Sequence, residues 1–295
     1  MKREGHLALS PHLAPSLALS RVWIAGGGSY HHFMPETALA WVALCASAFF
    51  AGVMNSVAGG GTLLTFPALT AVISPAFANA TSTVALLPGS IAGAFGYRKE
   101  LWECRRFVVR MLLPSVVGGF VGAWLVGKDQ KAFADLVPWL VLTAALLFVL
   151  QAPLSKWVKA RAGTTDETHQ PGTQTQALVI GFQFLVAVYG GYFGAGIGIL
   201  MLSALGFMGV GDIHRMNAVK TCLAALINAA SVVVFVRDDL IRWPLAWPMM
   251  VFAILGGYVG ARVARRLPAR YVRYAVIAIG FGLSAYYFID RYTSE

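Results

Sequence analysis

The stretch NSVAGGGTLLTFPALT, residues 55–70, lies inside a run with no charged side chain from residue 37 to residue 73. Three adjacent glycines, Gly59, Gly60 and Gly61, interrupt a segment that otherwise reads as helix. A glycine in a helix interior costs ~1 kcal/mol against alanine, so three in succession mark a built-in break in the backbone. About 20 apolar residues cross a ~30 Å hydrocarbon layer. The 37–73 run exceeds that length, as does the run at 177–211, and each is expected to fold as two pieces.

The wider composition agrees with a membrane setting. Of 295 residues, 58% are hydrophobic and 12% charged, with mean hydropathy +0.67. A soluble domain carries about twice that charge. Further apolar stretches fall at 77–97, 111–127, 136–154, 216–236, 243–261 and 274–289, which predicts an all-α polytopic membrane protein. The net charge of +10 is spread in short basic clusters between these stretches. That pattern points to anionic lipid headgroups rather than nucleic acid as the partner. Cys45, Cys104 and Cys222 lie in different segments without a paired spacing, so they read as packing residues and not as disulfides or metal ligands. Residues 1–35 form a prefix without a continuous apolar core, broken by Pro11, Pro15 and Arg21. It makes a poor signal peptide. Met34, just before the first clean span, is the expected true start.

The chain also repeats itself. At an offset of 138, Gly118, Gly119, Gly122 and Ala123 fall on Gly256, Gly257, Gly260 and Ala261, and Asn79, Ala80 and Thr83 fall on Asn217, Ala218 and Thr221. Shifted by two, Gly60 falls on Gly196. Two units follow, at 36–154 and 176–291, joined by a cytoplasmic linker at 155–175. Each reads as five pieces, in the first unit at 38–57, 60–73, 77–97, 106–127 and 133–153. An odd number of pieces inverts the second copy. With inversion, one face collects fourteen Lys and Arg and the other eight, whereas a parallel arrangement leaves near parity. The asymmetry favours inverted repeats with both termini outside. The first two pieces of each unit form either a re-entrant hairpin, giving eight full spans, or two crossings, giving ten; both stand at this level. Broken segments at matching positions of two halves point to a transporter's substrate site.

A helix beginning near Gly60 offers free N–H groups and the positive end of its dipole, a natural place for an anion. Asn55, Gly59, Gly60, Gly61 and Thr62 are therefore candidates in the first unit. Gly194 and Gly196 form the equivalent tip in the second, reached from the opposite face. A single glycine equally well serves close helix packing; two clusters at matched positions favour a site. Thr81 and Ser82, with Asn217, Lys220 and Thr221 at the matching place, complete the candidate set. Asn79 and Asn217 also read as ordinary helix N-caps. Lys220 is the one charged residue placed inside a span, which makes it either a substrate contact or a side chain snorkelling to the surface. No Asp, Glu or His is placed within a span's interior, so no proton relay is evident, and the interior-negative membrane potential alone drives an anion outward.

The glycine cluster with Pro67, Ala68 and Leu69, the Asn79-Ala80-Thr81-Ser82 run, the stretch from Gly118 to Ala123 and their degenerate repeat resemble the sulfite exporter TauE/SafE family of bacterial inner-membrane permeases. The resemblance covers about residues 36–290. It implies cofactor-free transport of small sulfur-containing or sulfonate anions such as sulfite, thiosulfate or sulfoacetate, and places the family pattern on Gly59, Gly60, Gly61, Pro67, Ala80, Thr81 and Ser82, then Gly194, Gly196, Gly198, Ala218 and Thr221. Ser203 stands where the family often repeats proline, and Lys220 stands opposite Ser82. A homodimer is left open.

Two other functions compete. Gly209, Gly211 and Asp212 match the GxGD pattern of intramembrane aspartyl proteases, and Pro67-Ala68-Leu69 matches their PAL pattern. Those enzymes need two facing aspartates inside the membrane. Here the order of the motifs is reversed and no partner aspartate lies in a span. A non-transporting scaffold would need no polar groups at the glycine tips.

Overall fold

The computed structural model describes residues 35, 37–57, 60–162, 173–207, 213–263 and 269–293. Every regular element among them is helical: α1 (Ala38–Val57), α2 (Thr62–Thr70), α3 (Pro75–Gly96), α4 (Arg98–Glu103), α5 (Arg105–Lys128) and α6 (Gln130–Ala162) in the first half. The second half holds α7 (Thr173–Tyr192), α8 (Ile197–Phe207), α9 (Ile213–Arg237), α10 (Trp243–Val263) and α11 (Ala269–Thr293). Four of these, α1, α5, α6 and α9, are long and apolar enough to cross a membrane, and α7, α10 and α11 carry shorter apolar stretches. Leu39, Val42 and Phe50 on α1, Trp124 on α5 and Trp247 on α10 stand exposed. An apolar exterior of this extent marks a lipid-facing surface.

α2 and α8 are the exceptions in length. At ~1.5 Å per residue they are about 14 and 17 Å long, roughly half of a ~30 Å hydrocarbon layer. Each half therefore opens with a long helix followed by one too short to cross by itself. The remaining pieces lie close to their expected places. α6 continues to Ala162, into the stretch read as linker. The sequence reading missed α4, a six-residue helix with Trp102 exposed on its side. The N-terminal prefix and Met34 lie outside the described residues.

Contacts between helices repeat when the halves are exchanged. α5 packs on α7 as α10 packs on α1, α9 on α5 as α3 on α10, and α6 on α8 as α11 on α2. The close approach of the first pair comes from the glycine motif: a Cβ on Gly122 would lie 2.1 Å from the Val188 carbonyl oxygen, and one on Gly191 2.2 Å from that of Gly119. In the second pair a Cβ on Gly256 would lie 1.9 Å from the Phe49 carbonyl oxygen, and one on Gly52 2.1 Å from that of Ala253. Backbones this near require small residues on the facing helix, which accounts for the repeated Gly-Gly-x-x-Gly spacing.

Matching helices of the two halves run antiparallel. Near the start of α9, Arg215 Nε donates to Glu103 Oε2 at 3.0 Å, just past the end of α3, while Thr221 lies beside Gly93. Beyond the end of α9, the Arg242 amide donates to Thr81 Oγ1 at 3.0 Å, and its guanidinium stacks 4.0 Å from the Phe77 ring centre near the start of α3. α6 and α11 are likewise opposed, with Gly280 beside Ala145 and Ser284 donating to the Pro138 carbonyl.

Candidate functional site

The break read from the glycines is present in both halves. Gly60 has φ +87°, and Gly194 and Gly196 have φ +80° and +82°. These left-handed conformations suit glycine and halt a right-handed helix. Helix resumes at once after each break: Leu63 N–H donates to the Gly60 carbonyl and Ile199 N–H to that of Gly196, the same contact in each copy.

Both breaks face protein. A Cβ on Gly60 would fall 2.0 Å from the Phe148 ring, and one on Gly196 3.2 Å from Leu147, so the two tips rest on adjacent residues of α6. Phe66 of α2 meets Phe193 of the second break edge to face, with ring centres 5.2 Å apart. Asn79 Nδ2 donates to the Tyr192 carbonyl at 2.9 Å. The hairpins of the two halves thus touch each other in the interior.

The candidate residues divide into three groups. At the first tip, Asn55 Oδ1 accepts the Gly61 N–H at 2.8 Å, next to Thr62 at the head of α2. Asn55 is consequently a cap on the amide that the sequence reading assigned to an anion, because that early N–H has no partner within the helix. One turn on, Thr65 and Ser82 share a hydroxyl hydrogen bond of 2.5 Å and are both fully buried. Thr81 faces the other way, accepting the Arg242 amide, so it belongs to the α9–α10 connection rather than to the tip. Gly59 lies outside the described residues.

At the second tip, Lys220 runs its stem past Gly198, where a Cβ would lie 3.1 Å from Lys220 Cδ, and its Nζ donates to Asn217 Oδ1 at 3.0 Å. Gly198 makes room for that side chain. Lys220 and Asn217 are half-buried, as is Thr221. Neither asparagine is an N-cap: α3 begins at Pro75 after Ser74, α9 begins at Ile213, and both residues lie within their helices.

The polar clusters of α3 and α9 do not converge on one point. Thr221 is level with Gly93, eleven residues along α3 from Ser82, which is about 16 Å at ~1.5 Å per residue. They flank the glycine tips on opposite sides. Asn79 Oδ1 is buried without a partner among the described residues. The reading from sequence also passed over Tyr189, whose hydroxyl donates to the Ala195 carbonyl at 2.8 Å and props the second break open. An aromatic hydroxyl immediately before a glycine cluster was the available signal.

Nothing in this constellation assembles a metal site: no group of three or more His, Cys, Asp or Glu gathers among the described residues. Cys45, Cys104 and Cys222 are free thiols. Gly209, Gly211 and Asp212 of the protease-like pattern lie outside the described residues, while its PAL counterpart is part of α2.

Paired half-helices buried in a polytopic helical shell are the arrangement found at the substrate sites of many membrane transporters. The chain belongs to the Sulfite exporter TauE/SafE family, whose description matches residues 44–287. Similar curated proteins are described as probable membrane transporters. One is YfcA of Escherichia coli, 28% identical over 256 residues, covering 84% of this chain and 89% of that protein. A protein of Sinorhizobium, ORF9, is 30% identical over 249 residues, covering 82% and 89%, and one from Haemophilus influenzae is 25% identical over 249 residues, covering 82% and 92%. No solved structure matches the chain.

Proposed function

We propose that this transporter moves a small sulfur-containing or sulfonate anion, such as sulfite, outward across a bacterial inner membrane without catalysing a reaction. The observation that supports it is the pair of half-helices whose left-handed glycine starts abut the same turn of α6, with the Lys220 stem against Gly198 of the second and its ammonium on Asn217. Half-helix N-termini carry positive partial charge, and in the membrane interior no water competes for it. A lysine held near one of them adds a full charge, whose cost in the membrane is repaid when an anion is bound. Of the remaining candidates, Gly60 and Thr62 at one tip and Gly194, Gly196, Asn217 and Thr221 at the other supply neutral donors and close backbone approach, while the Gly61 amide is already held by Asn55.

Direction follows from energetics. An interior-negative potential drives an anion outward by ~2.3 kcal/mol per charge per 100 mV, so export needs no coupled ion. The inverted arrangement would place the Arg98-to-Arg110 cluster on the cytoplasmic side and both termini outside.

Sulfite, sulfate, thiosulfate, sulfoacetate and chloride should be compared for binding to the purified protein, followed by flux in proteoliposomes with and without an imposed voltage. The expected result is preference for sulfite or a sulfonate over chloride, with flux that follows the voltage. Equal weak binding of all five, with no flux, would remove the anion reading.

A further inference from the structure

The seam between α3 and α9 holds a feature that the glycine tips do not explain. Along α3 the residues Thr83, Leu87, Ser90, Ala94 and Tyr97 are half-exposed at helical spacing, and along α9 so are Asn217, Lys220, Ala224 and Asn228. Half-exposed positions spaced three and four apart form one stripe on a helix. On α9 the stripe is polar at three of its four positions, running from the start to the middle of a span of mean hydropathy 2.0. Asparagine and lysine side chains turned to hydrocarbon are costly, and those found inside spans face a bundle interior or water.

The facing side of α3 carries small residues. Gly93 lies directly against α9, where a Cβ would come within 3.3 Å of the Thr221 methyl, while Gly89 turns toward α10, with a Cβ 4.0 Å from the Ala253 carbonyl oxygen. Ser90 and Thr83 return their hydroxyls to the carbonyls of Leu86 and Asn79, leaving small, weakly polar surfaces. One side of the seam is thus lined with small groups and the other with donors.

Its two ends can be located. One end reaches Arg215 and Glu103, beside the basic cluster. The other is fixed by two contacts. Thr65 bonds Ser82 and α2 runs antiparallel to α3, so Gly61, four residues before Thr65, is about level with residue 86 at equal rise per residue. Thr221 lies beside Gly93 and α9 is also antiparallel to α3, so Asn228, seven residues beyond Thr221, is about level with residue 86 as well. Asn228 and the head of α2 therefore share one depth.

We infer that the α3–α9 seam is an aqueous access path for a small hydrated anion, running from the basic face past Lys220 to Asn228 at the depth of the α2 tip. Lys220 selects for negative charge part-way along, and the Asn228 amide is the last donor before the half-helix. The inference rests on the transport reading for its substrate but not for its geometry.

The test is thiol accessibility on the full-length protein in sealed vesicles, with Cys45, Cys104 and Cys222 replaced by alanine. Ser90→Cys and Asn228→Cys are compared with Ile91→Cys and Val233→Cys, whose parent residues are exposed on the same two helices. A sulfonate-bearing methanethiosulfonate added from the basic face should modify the first pair at least tenfold faster than the second. Adding Lys220→Met should slow this anionic reagent at Asn228→Cys by about tenfold, while leaving a cationic analogue unslowed. Ala224→Cys, on the same stripe, takes the place of Asn228→Cys if that variant does not insert. Equal slow labelling of both pairs, or equal effects of Lys220→Met on both reagents, overturns the path. Labelling reads water access without transport, so rapid labelling in a protein that moves no anion would retain the path and reject the transport reading.

Discussion

At the first hairpin the amide at the head of α2 is held by Asn55, and the next turn is tied to α3 by the Thr65–Ser82 hydroxyl pair. At the second, the place matching Ser82 is taken by Lys220, whose stem fills the space that Gly198 leaves and whose ammonium is steadied by Asn217. The backbone is therefore duplicated while the chemistry is not. A twofold-related pair of half-helices needs the same left-handed glycine in both copies, because the turn is a matter of sterics. If the breaks hold one small anion, as proposed, one lysine supplies the charge and a second would add only a further desolvation cost.

The sharpest way to break this comparison is at Gly60. Gly60→Leu forces a branched side chain into a left-handed conformation and into the Phe148 ring. Backbone strain of ~1–3 kcal/mol and overpacking of a similar size act together. Thermal melting in detergent should fall sharply and sulfite tolerance of overproducing cells should be lost. Combining Gly60→Ala with Phe148→Ala relieves the contact but not the strain, and should recover only part of the melting temperature.

Lys220→Met is next. Hydrogen bonds to charged groups contribute ~1.5–3 kcal/mol, so anion affinity should fall by about ten- to hundredfold with expression unchanged. Isothermal titration reads this directly; unchanged affinity would return Lys220 to a snorkelling role. Asn55 separates capping from binding. Asn55→Ala should cost ~1 kcal/mol of stability through loss of the cap, while Asn55→Asp keeps the acceptor and so the stability, yet repels an anion at the tip. Melting and binding measured on both variants distinguish the two roles. The smallest effect is expected at Arg215→Gln, since an ion pair with both side chains 40% or more exposed contributes less than ~1 kcal/mol. Its melting curve should scarcely move.

The sequence exposed the skeleton because membrane helices are written in long, uninterrupted apolar runs, and the glycine breaks stood out against them. It left Asn79 and Asn217 open between helix cap and site residue, because short polar residues near a helix start look alike whether they end the helix or lie a turn or more inside it. Asn55 was legible as a polar residue near the tip, but its bond to Gly61 links the last turn of α1 to the head of α2 and has no sequence signature. Asn228 escaped notice for the same reason that it matters: one asparagine in an apolar run gains meaning only from the helix that faces it.

Apolar run length, the paired glycine clusters and the repeated small-residue motif determined, from the chain alone, an all-helical membrane protein of two related halves with a broken helix in each. Tertiary structure decided that the second segment of each half is a short helix, that both breaks press on neighbouring residues of α6, and that the polar clusters of α3 and α9 flank the breaks rather than meet. Those outcomes depend on which surfaces touch across more than a hundred residues of chain, and a local pattern of side chains carries no record of its distant neighbour.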